Sequence, residues 1–331
     1  MKKSLHVLKN IATMSIRFAE FGIANVCVSQ CSFCSIWKQK PKVYADKEKS
    51  LRAIDRMADL GVSHITFTGG EPLLHPNIVD FVRKSTERHI ISAVLDAAPA
   101  LIAEKKLARL GEAGADIISI SFDSDDPQAL AESRKIPNIM RDIEKAVGLI
   151  RKTGITTTAS ILIWNGNHDR MEKMFARAVD IGFDYISINY PTFSKSVIYP
   201  LGGEGISLSR DMVIGSLQSI IEMKKKGKYK ILNGSHSMQN IIDYLKDPDS
   251  VRFLCRGGNR VFFVDWFLDV RPCMYLPTVM GNILTLRKTD LKKEICNQCS
   301  MSWYRDFSAF FFGVKSLPLL WESVRTSRKI I

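Results

Sequence analysis

Residues 26–37 read Val-Cys-Val-Ser-Gln-Cys-Ser-Phe-Cys-Ser-Ile-Trp, and this stretch holds three of the chain's seven cysteines: Cys27, Cys31 and Cys34. Iron–sulfur clusters are held by closely spaced cysteine thiolates, and three thiolates can converge on one face of a cubane. The fourth iron then has no protein ligand and can bind a small molecule. The spacing therefore predicts a 4Fe-4S site with one open iron.

A zinc site and a disulfide framework are the other interpretations of this triplet. Structural zinc takes four ligands, and no histidine or fourth cysteine lies nearby in the sequence. Disulfide frameworks are typical of small secreted chains. This chain has 331 residues, and charges at Lys9, Arg17 and Glu20 interrupt any signal-peptide core. Both alternatives are less favoured than the cluster.

The composition is typical of a globular protein with a sizeable core, because 46% of the residues are hydrophobic and 24% are charged. No stretch approaches the length of a membrane span, and a cytoplasmic location is expected. The net charge of +13 includes short lysine runs at residues 224–226 and 292–293. Neither run is interleaved with aromatic residues, which favours solvated surfaces over nucleic-acid binding.

Strand-like and helical segments alternate between residues 15 and 190, which predicts parallel βα units. The predicted strands are residues 17–26, 64–68, 90–96, 117–122, 156–163 and 185–189. The predicted helices are residues 47–60, 77–88, 103–113, 138–153 and 170–181. Several helices are followed by a glycine that permits a left-handed C-cap, namely Gly61, Gly114, Gly154 and Gly182. The expected fold is α/β, a partial (β/α)6 TIM-type barrel followed by a small cysteine-rich domain.

The chain divides into five predicted parts. They are an N-terminal extension (1–14), the barrel (15–200), a helical connector (201–250), a cysteine-rich domain (251–302) and an aromatic and basic tail (303–331). The tail can cover an apolar substrate pocket or make peripheral contact with a membrane. Packing back on the barrel is the favoured interpretation.

Two motifs resemble the signature of the radical S-adenosylmethionine (radical SAM) family. One is CxxxCxxC with the aromatic Phe33 before its last cysteine, and the other is Gly69-Gly70-Glu71-Pro72 after the second strand. The second motif alone could be an ordinary glycine turn. The resemblance implies that the cysteines hold a 4Fe-4S cluster and that Gly69, Gly70 and Glu71 bind the methionyl amine of S-adenosylmethionine.

Further strand ends resemble the family more loosely, as expected where barrel active sites lie. Ser121 and Arg134 match a Ser-Leu-Asp-Gly segment and its following arginine, which pairs with the methionyl carboxylate, although Ser124 replaces the glycine. Ser160, Asn189 and Tyr190 lie where the family contacts ribose and adenine. Strand ends also carry the candidate partners of a substrate radical, namely Asp123, Asn165 and Tyr190.

Four more cysteines follow the barrel: Cys255, Cys273, Cys296 and Cys299. The segment before Cys273 reads as a β-hairpin with its turn near residues 265–267. On spacing alone, the four cysteines fit a second 4Fe-4S cluster or one zinc ion. Their order resembles the auxiliary-cluster "twitch" domain, a shortened SPASM domain, with Leu268 near the place of a usual glycine.

These resemblances imply an oxidoreductase. It would cleave S-adenosylmethionine reductively to a 5′-deoxyadenosyl radical, abstract a hydrogen atom from a substrate C–H bond and oxidise a small molecule, with the second cluster accepting an electron. Flavodoxin or ferredoxin would donate electrons, and no nucleic acid is expected as a partner.

Three other functional interpretations stay open. The first is oxidation or methyl hydroxylation of a hydrophobic intermediate, such as a chlorophyll-type tetrapyrrole or a lipid. The second is a ribosomal-peptide maturase, which would normally carry an N-terminal recognition domain, whereas about fourteen residues precede the first strand here. The third is a zinc-binding interaction protein.

Overall fold

The structure is a computed structural model that describes residues 2–13, 15–191, 207–249, 253–292, 301–309 and 311. Six parallel strands form the barrel wall, and neighbours in the chain are neighbours in the sheet. They are β1 (Arg17–Ala24), β2 (Val62–Gly69), β3 (Ile91–Asp96), β4 (Ile117–Ser121), β5 (Thr156–Leu162) and β6 (Tyr185–Asn189). Every strand end lies close to its predicted position, so the partial barrel is confirmed.

The predicted helices lie between these strands. They are α2 (Lys47–Asp59), α3 (Ile78–Glu87), α4 (Glu104–Glu112), α6 (Ile139–Ile150) and α7 (Met171–Ile181). Helix α8 (Arg210–Lys225) comes after β6, in the predicted helical connector. The glycines after four of them have φ between +78° and +100°, as the left-handed C-cap requires: Gly61, Gly114, Gly154 and Gly182.

Four helices were not predicted from the sequence. They are α1 (Lys2–Ala12), α5 (Pro127–Arg134), α9 (Ser235–Lys246) and α10 (Ser302–Ala309). Each is short or begins in polar sequence, so its apolar period is brief. Tertiary contacts stabilise such helices, because packing contributes more to a short helix than propensity does. No described helix is both long and apolar enough to cross a membrane.

The two faces of the barrel strands have different surroundings. On β1, Ala19, Phe21 and Ile23 belong to the hydrophobic core shared with the helices. Phe18 and Glu20 alternate with them and face the barrel interior, where they line a cavity. All eight residues of β1 are buried, as expected for a parallel strand that is covered on both faces.

A hairpin from the cysteine-rich segment extends the same sheet. Strand β7 (Val261–Val264) pairs in parallel with β1, β8 (Asp269–Arg271) pairs antiparallel with β7, and β9 (Gly281–Asn282) completes the edge. The predicted hairpin is confirmed, and Leu268 has a φ of +68°, a conformation that favours glycine. The sheet runs across the boundary predicted at residue 251.

Candidate active site

The cysteine triplet lies in the loop that follows β1, at the carboxyl end of the barrel. The backbone N–H groups of Gln30 and Ser32 donate to the carbonyl oxygens of Arg134 and Ser133, at 3.2 and 3.0 Å. These bonds fasten the loop to the end of α5. Three thiols line one cavity of about 900 Å³ that occupies the barrel interior: Cys27, Cys31 and Cys34.

The three thiols are largely shielded from solvent, since Cys31 is buried and Cys27 and Cys34 are partly buried. Burial raises the pKa of Cys27 to about 12 and that of Cys34 to about 11. Burial also raises the pKa of Cys31, while the positive charge of Arg134 opposes the shift. Thiols must lose their protons to ligate a metal, so iron binding and thiol ionisation are coupled here. The described residues include no group of three His, Cys, Asp or Glu side chains suited to a single ion.

The Gly69–Gly70 pair sits directly beneath the cysteine loop. A Cβ on Gly69 would lie 2.1 Å from the carbonyl oxygen of Ala24, and Gly69 has a φ of +134°. A Cβ on Gly70 would lie 2.1 Å from the carbonyl oxygen of Val26 and 2.9 Å from Cys27 Cβ. Only glycine leaves room for the loop there. Both glycines line the cavity, so the two motifs form one site that suits the predicted cluster.

Glu71 has a structural position in this site. Its Oε1 accepts a hydrogen bond from the N–H of Leu73 at 2.8 Å, and its Oε2 accepts one from the N–H of Ala97 at 2.7 Å. Burial raises its pKa to about 7, and the neighbouring Asp96 carboxyl is raised well above its ordinary pKa, also by burial. Glu71 is fully buried and joins the ends of β2 and β3, and its contact with the methionyl amine stays a prediction.

Asp123 and Arg134 form a buried ion pair at the cavity wall. Nε of Arg134 donates to Asp123 Oδ2 at 2.8 Å, and Nη2 donates to the same oxygen. The N–H of Leu162 donates to the other Asp123 oxygen at 2.8 Å. Arg134 Nη1 lies 3.8 Å from Cys31 Sγ, and the guanidinium is 5.5 Å from the centre of the Phe33 ring. Asp123 therefore positions Arg134 beside the cluster loop. Asp123 also lines the cavity, and its role as a partner of the substrate radical stays a prediction.

The remaining predicted residues divide into two groups. Ser121, Ser160, Asn189 and Tyr190 line the cavity, and Asn189 Nδ2 donates to Ser160 Oγ at 2.9 Å. Asn165 is not among the residues that line the cavity, and its role as a partner of the substrate radical stays a prediction. Its side chain is bound instead to Ser207, whose N–H donates to Asn165 Oδ1 at 2.9 Å, because residue 165 belongs to the turn after β5.

Comparison with known proteins identifies the family. Residues 22–197, more than half of the chain, match the radical SAM superfamily. The chain belongs to the radical SAM superfamily. Proteins of this superfamily bind a 4Fe-4S cluster and S-adenosylmethionine, the two cofactors that the Cys27–Cys34 loop and the glycine motif predicted. The chain is thus a radical SAM enzyme.

Individual relatives of this radical SAM enzyme are distant. The chain is 27% identical over 158 residues to "PqqA peptide cyclase" of Granulibacter bethesdensis, a match that spans 47% of this chain and 42% of the cyclase. It is 24% identical to "AdoMet-dependent heme synthase" of Methanosarcina barkeri over 70% of this chain and 68% of the synthase. Streptococcus suis SuiB bound to S-adenosylmethionine shares the fold, with a TM-score of 0.66, 16% identity, and coverage of 88% of this chain and 69% of SuiB.

Several residues at the radical SAM site were not predicted from the sequence. Trp164 Nε1 and Asn167 Nδ2 donate to the carbonyl oxygen of Asp123, at 2.7 and 2.9 Å. Asn233 Nδ2 donates to the carbonyl oxygen of Ile188 at 2.9 Å, and Glu20 faces the cavity from β1. None of these lies in a recognisable motif. Only the alternation along β1 could have indicated that Glu20 faces inward.

The second cysteine group is described in part. Cys255 and Cys273 pack against a cluster at the amino end of the barrel that includes Phe18 and Tyr304. The N–H of Gly257 donates to Cys255 Sγ at 3.3 Å. Cys296 and Cys299 lie outside the described residues, as do residues 312–331 of the predicted tail. Cys255 and Cys273 therefore lie at the opposite end of the barrel from the Cys27–Cys34 loop, because β1 runs from one group to the other.

Proposed function

We propose that this radical SAM enzyme abstracts a hydrogen atom from a peptide substrate that reaches into the barrel cavity. The observation that carries the radical step is the joining of the two motifs: Cys27, Cys31 and Cys34 line the same cavity as Gly69 and Gly70. When bound, the cluster and S-adenosylmethionine supply a 5′-deoxyadenosyl radical. The peptide class is supported by the relative described as a PqqA peptide cyclase.

The chain's own residues orient and enclose the reactants. Arg134, held by Asp123, keeps a fixed positive charge beside the cluster loop, where it favours a bound carboxylate or thiolate. Ser121, Ser160 and Asn189 supply hydrogen-bonding groups at the strand ends. The apolar walls exclude water, which protects a reactive intermediate from side reactions.

We further propose that Cys255 and Cys273, with Cys296 and Cys299, hold a second 4Fe-4S cluster at the amino end of the barrel. A substrate in the cavity would then lie between the two clusters. The second cluster would accept the electron that remains on the substrate radical after hydrogen abstraction, and the reaction would be a net oxidation. A flavodoxin or ferredoxin would supply the electron for S-adenosylmethionine.

A hydrophobic small molecule is the second candidate substrate. The lower half of the cavity, at the amino ends of the barrel strands, is mostly apolar. Its walls include Ile16, Phe18, Ile91, Ile117 and Phe307. Such walls suit a ring system or a hydrocarbon chain better than a polar peptide. The match to an AdoMet-dependent heme synthase supports the same class.

The experiment that tests the radical step compares three anaerobically reconstituted proteins. The wild type should hold about eight irons, and variants with alanine at residues 27, 31 and 34 or at residues 255 and 273 about four. After reduction, the wild type and the second variant should form 5′-deoxyadenosine, and the first should not. Formation by the first variant would refute the cluster assignment, and unchanged iron in the second would refute the second cluster.

Deuterium transfer separates the two substrate classes. The enzyme is incubated with fractions of an extract from deuterium-labelled cells, and deuterium in 5′-deoxyadenosine is measured by mass spectrometry. Transfer from a peptide fraction that protease treatment abolishes would support the peptide substrate. Transfer from an organic-solvent extract that survives protease would contradict it and support the hydrophobic small molecule.

A further inference from the structure

Helix α1 exposes an apolar stripe to solvent. Leu5 is 58% exposed and Leu8 is 56% exposed, and Ile11 follows at 36%. An α-helix turns 100° per residue, so these side chains and Ala12 share an arc of roughly 120°. Among the large hydrophobic residues that the structure describes, Leu5 and Leu8 are near the top in exposure, and they lie side by side. The stripe is therefore a patch and not a set of scattered residues.

The opposite side of α1 is fastened to the barrel. Lys3 Nζ donates to Asp116 Oδ2 at 2.6 Å and to the carbonyl oxygen of Gly114 at 3.0 Å. Asn10 Nδ2 donates to Ser63 Oγ at 2.8 Å. Asn10 is buried, and these bonds fix the rotation of the helix about its axis. The outward direction of the stripe is thus set by the fold.

Positive charge borders one edge of the stripe. Lys2 and Lys9 are exposed and lie next to Leu5 on the helix surface, and α1 contains no acidic residue. Burial lowers the pKa of His6, and the nearby charges of His89, Lys9 and Arg88 lower it further.

The acidic groups packed around this helix are already bound. Asp116 is paired with Lys3, and the carboxylates of Asp55 and Asp59 accept hydrogen bonds from Arg88. The surface is complementary to an anionic layer.

The stripe is continuous with the inside of the barrel. Leu8 and Ile11 are exposed to solvent and also line the cavity, together with Val7 and Phe18. An apolar surface therefore runs from the outside of α1 into the lower half of the cavity. Contiguous exposed apolar surface of this kind marks a membrane contact, a protein interface or a ligand groove.

We propose that α1 docks on the surface of an anionic lipid bilayer. Leu5, Leu8 and Ile11 enter the headgroup region, and Lys2 and Lys9 contact the lipid phosphates. This arrangement brings the mouth of the cavity to the lipid. The docking surface is separate from the cysteine loop, so the inference goes beyond the proposed function and does not depend on it. A second copy of the chain and residues 312–331 are the competing occupants of the stripe.

The test is flotation of the full-length, cluster-loaded protein with lipid vesicles under anaerobic conditions. One set contains phosphatidylcholine alone, and the other also contains phosphatidylglycerol. The wild type should float with the second set, and less so at high salt. The variant Leu5→Ser/Leu8→Ser should bind about tenfold more weakly or worse. Lys2→Gln and Lys9→Gln should each weaken binding about fivefold.

The control variant is Val179→Ser/Met212→Ser, which removes exposed apolar side chains of α7 and α8. It should bind vesicles like the wild type. Failure of the wild type to float with anionic vesicles would overturn the proposal, as would equal binding by the leucine variant. A dimer of the wild type that the leucine variant abolishes, without vesicle binding, would assign the stripe to a second copy instead. A fall in thermal midpoint with unchanged flotation would assign it to residues 312–331. Formation of 5′-deoxyadenosine is measured with Leu5→Ser alone, because Leu5 is not among the residues that line the cavity. Its formation at the wild-type level distinguishes loss of vesicle binding from failure of the radical step.

Discussion

The buried pair of Asp123 and Arg134 gives the sharpest prediction of stability. Asp123 is 1% exposed and Arg134 is 6% exposed, and the pair is hydrogen-bonded through two guanidinium nitrogens. The change Asp123→Asn keeps the side-chain volume but leaves the guanidinium charge without its counter-charge. Removing one partner of a buried pair costs about 3–5 kcal/mol. For a chain of 331 residues, that corresponds to a fall in thermal midpoint of about 4–7 °C.

The assay is thermal unfolding by circular dichroism under anaerobic conditions. The matched control is Glu144→Gln, which breaks the half-exposed pair of Glu144 and Arg177 and should cost about 0–1 kcal/mol. The double variant Asp123→Asn/Arg134→Met should recover part of the loss, because no unpaired charge remains buried. An equal fall for Asp123→Asn and Glu144→Gln would refute the assigned role of the buried charge.

Two further predictions follow from single residues. Gly70→Ala should displace the cysteine loop, because its Cβ meets the Val26 carbonyl; it should cost about 1–3 kcal/mol and lower the iron content. The control is Gly111→Ala, where no atom lies within 4 Å of the new Cβ; it should stabilise the protein by about 0.5–1 kcal/mol. Equal iron content in the two variants would contradict the proposed clash between the Gly70→Ala Cβ and the Val26 carbonyl. Burial raises the pKa of Glu20 from 4.5 to about 8. Protonation of Glu20 therefore favours the folded state. This contribution to the free energy of unfolding is fully present below pH 4.5 and is lost as the pH rises through 8. Glu20→Gln should therefore flatten the fall in stability between pH 6 and 8, by about 1.4 kcal/mol per pH unit at most, measured by thermal unfolding across that range; parallel curves for the variant and the wild type would contradict it.

The local elements of the barrel could be predicted because each leaves a short-range signal. The glycines after α2, α4 and α7 mark helix ends, since only glycine adopts a positive φ without strain. Helices α1 and α5 leave no such signal, because no glycine follows their last residues. Those helices form where the barrel offers a surface for them, which a single sequence does not reveal.

In the candidate site, too, some features have a local sequence signal and others depend on tertiary contacts. The cysteine loop and the Gly69–Gly70 pair were found from spacing, because cluster ligation and close backbone contact constrain residue type directly. Asp123 is predicted from the sequence to contact the substrate, and only the structure shows that it is also paired with Arg134. Asn165 lies at a strand end but is bound to Ser207 away from the cavity. Position in the sequence indicates the end of a strand, but it does not indicate which side of the turn a side chain faces.

The sequence by itself determined the fold class, the cluster loop and the glycine motif, since period, spacing and glycine placement are local properties of the chain. Only the tertiary structure decided that β7 joins β1 in one sheet and that Glu20 faces the cavity. It alone also brought Arg134 to Cys31 across 103 positions of sequence. The physical reason is that local geometry fixes backbone conformation, whereas burial and pairing depend on which distant segments pack together.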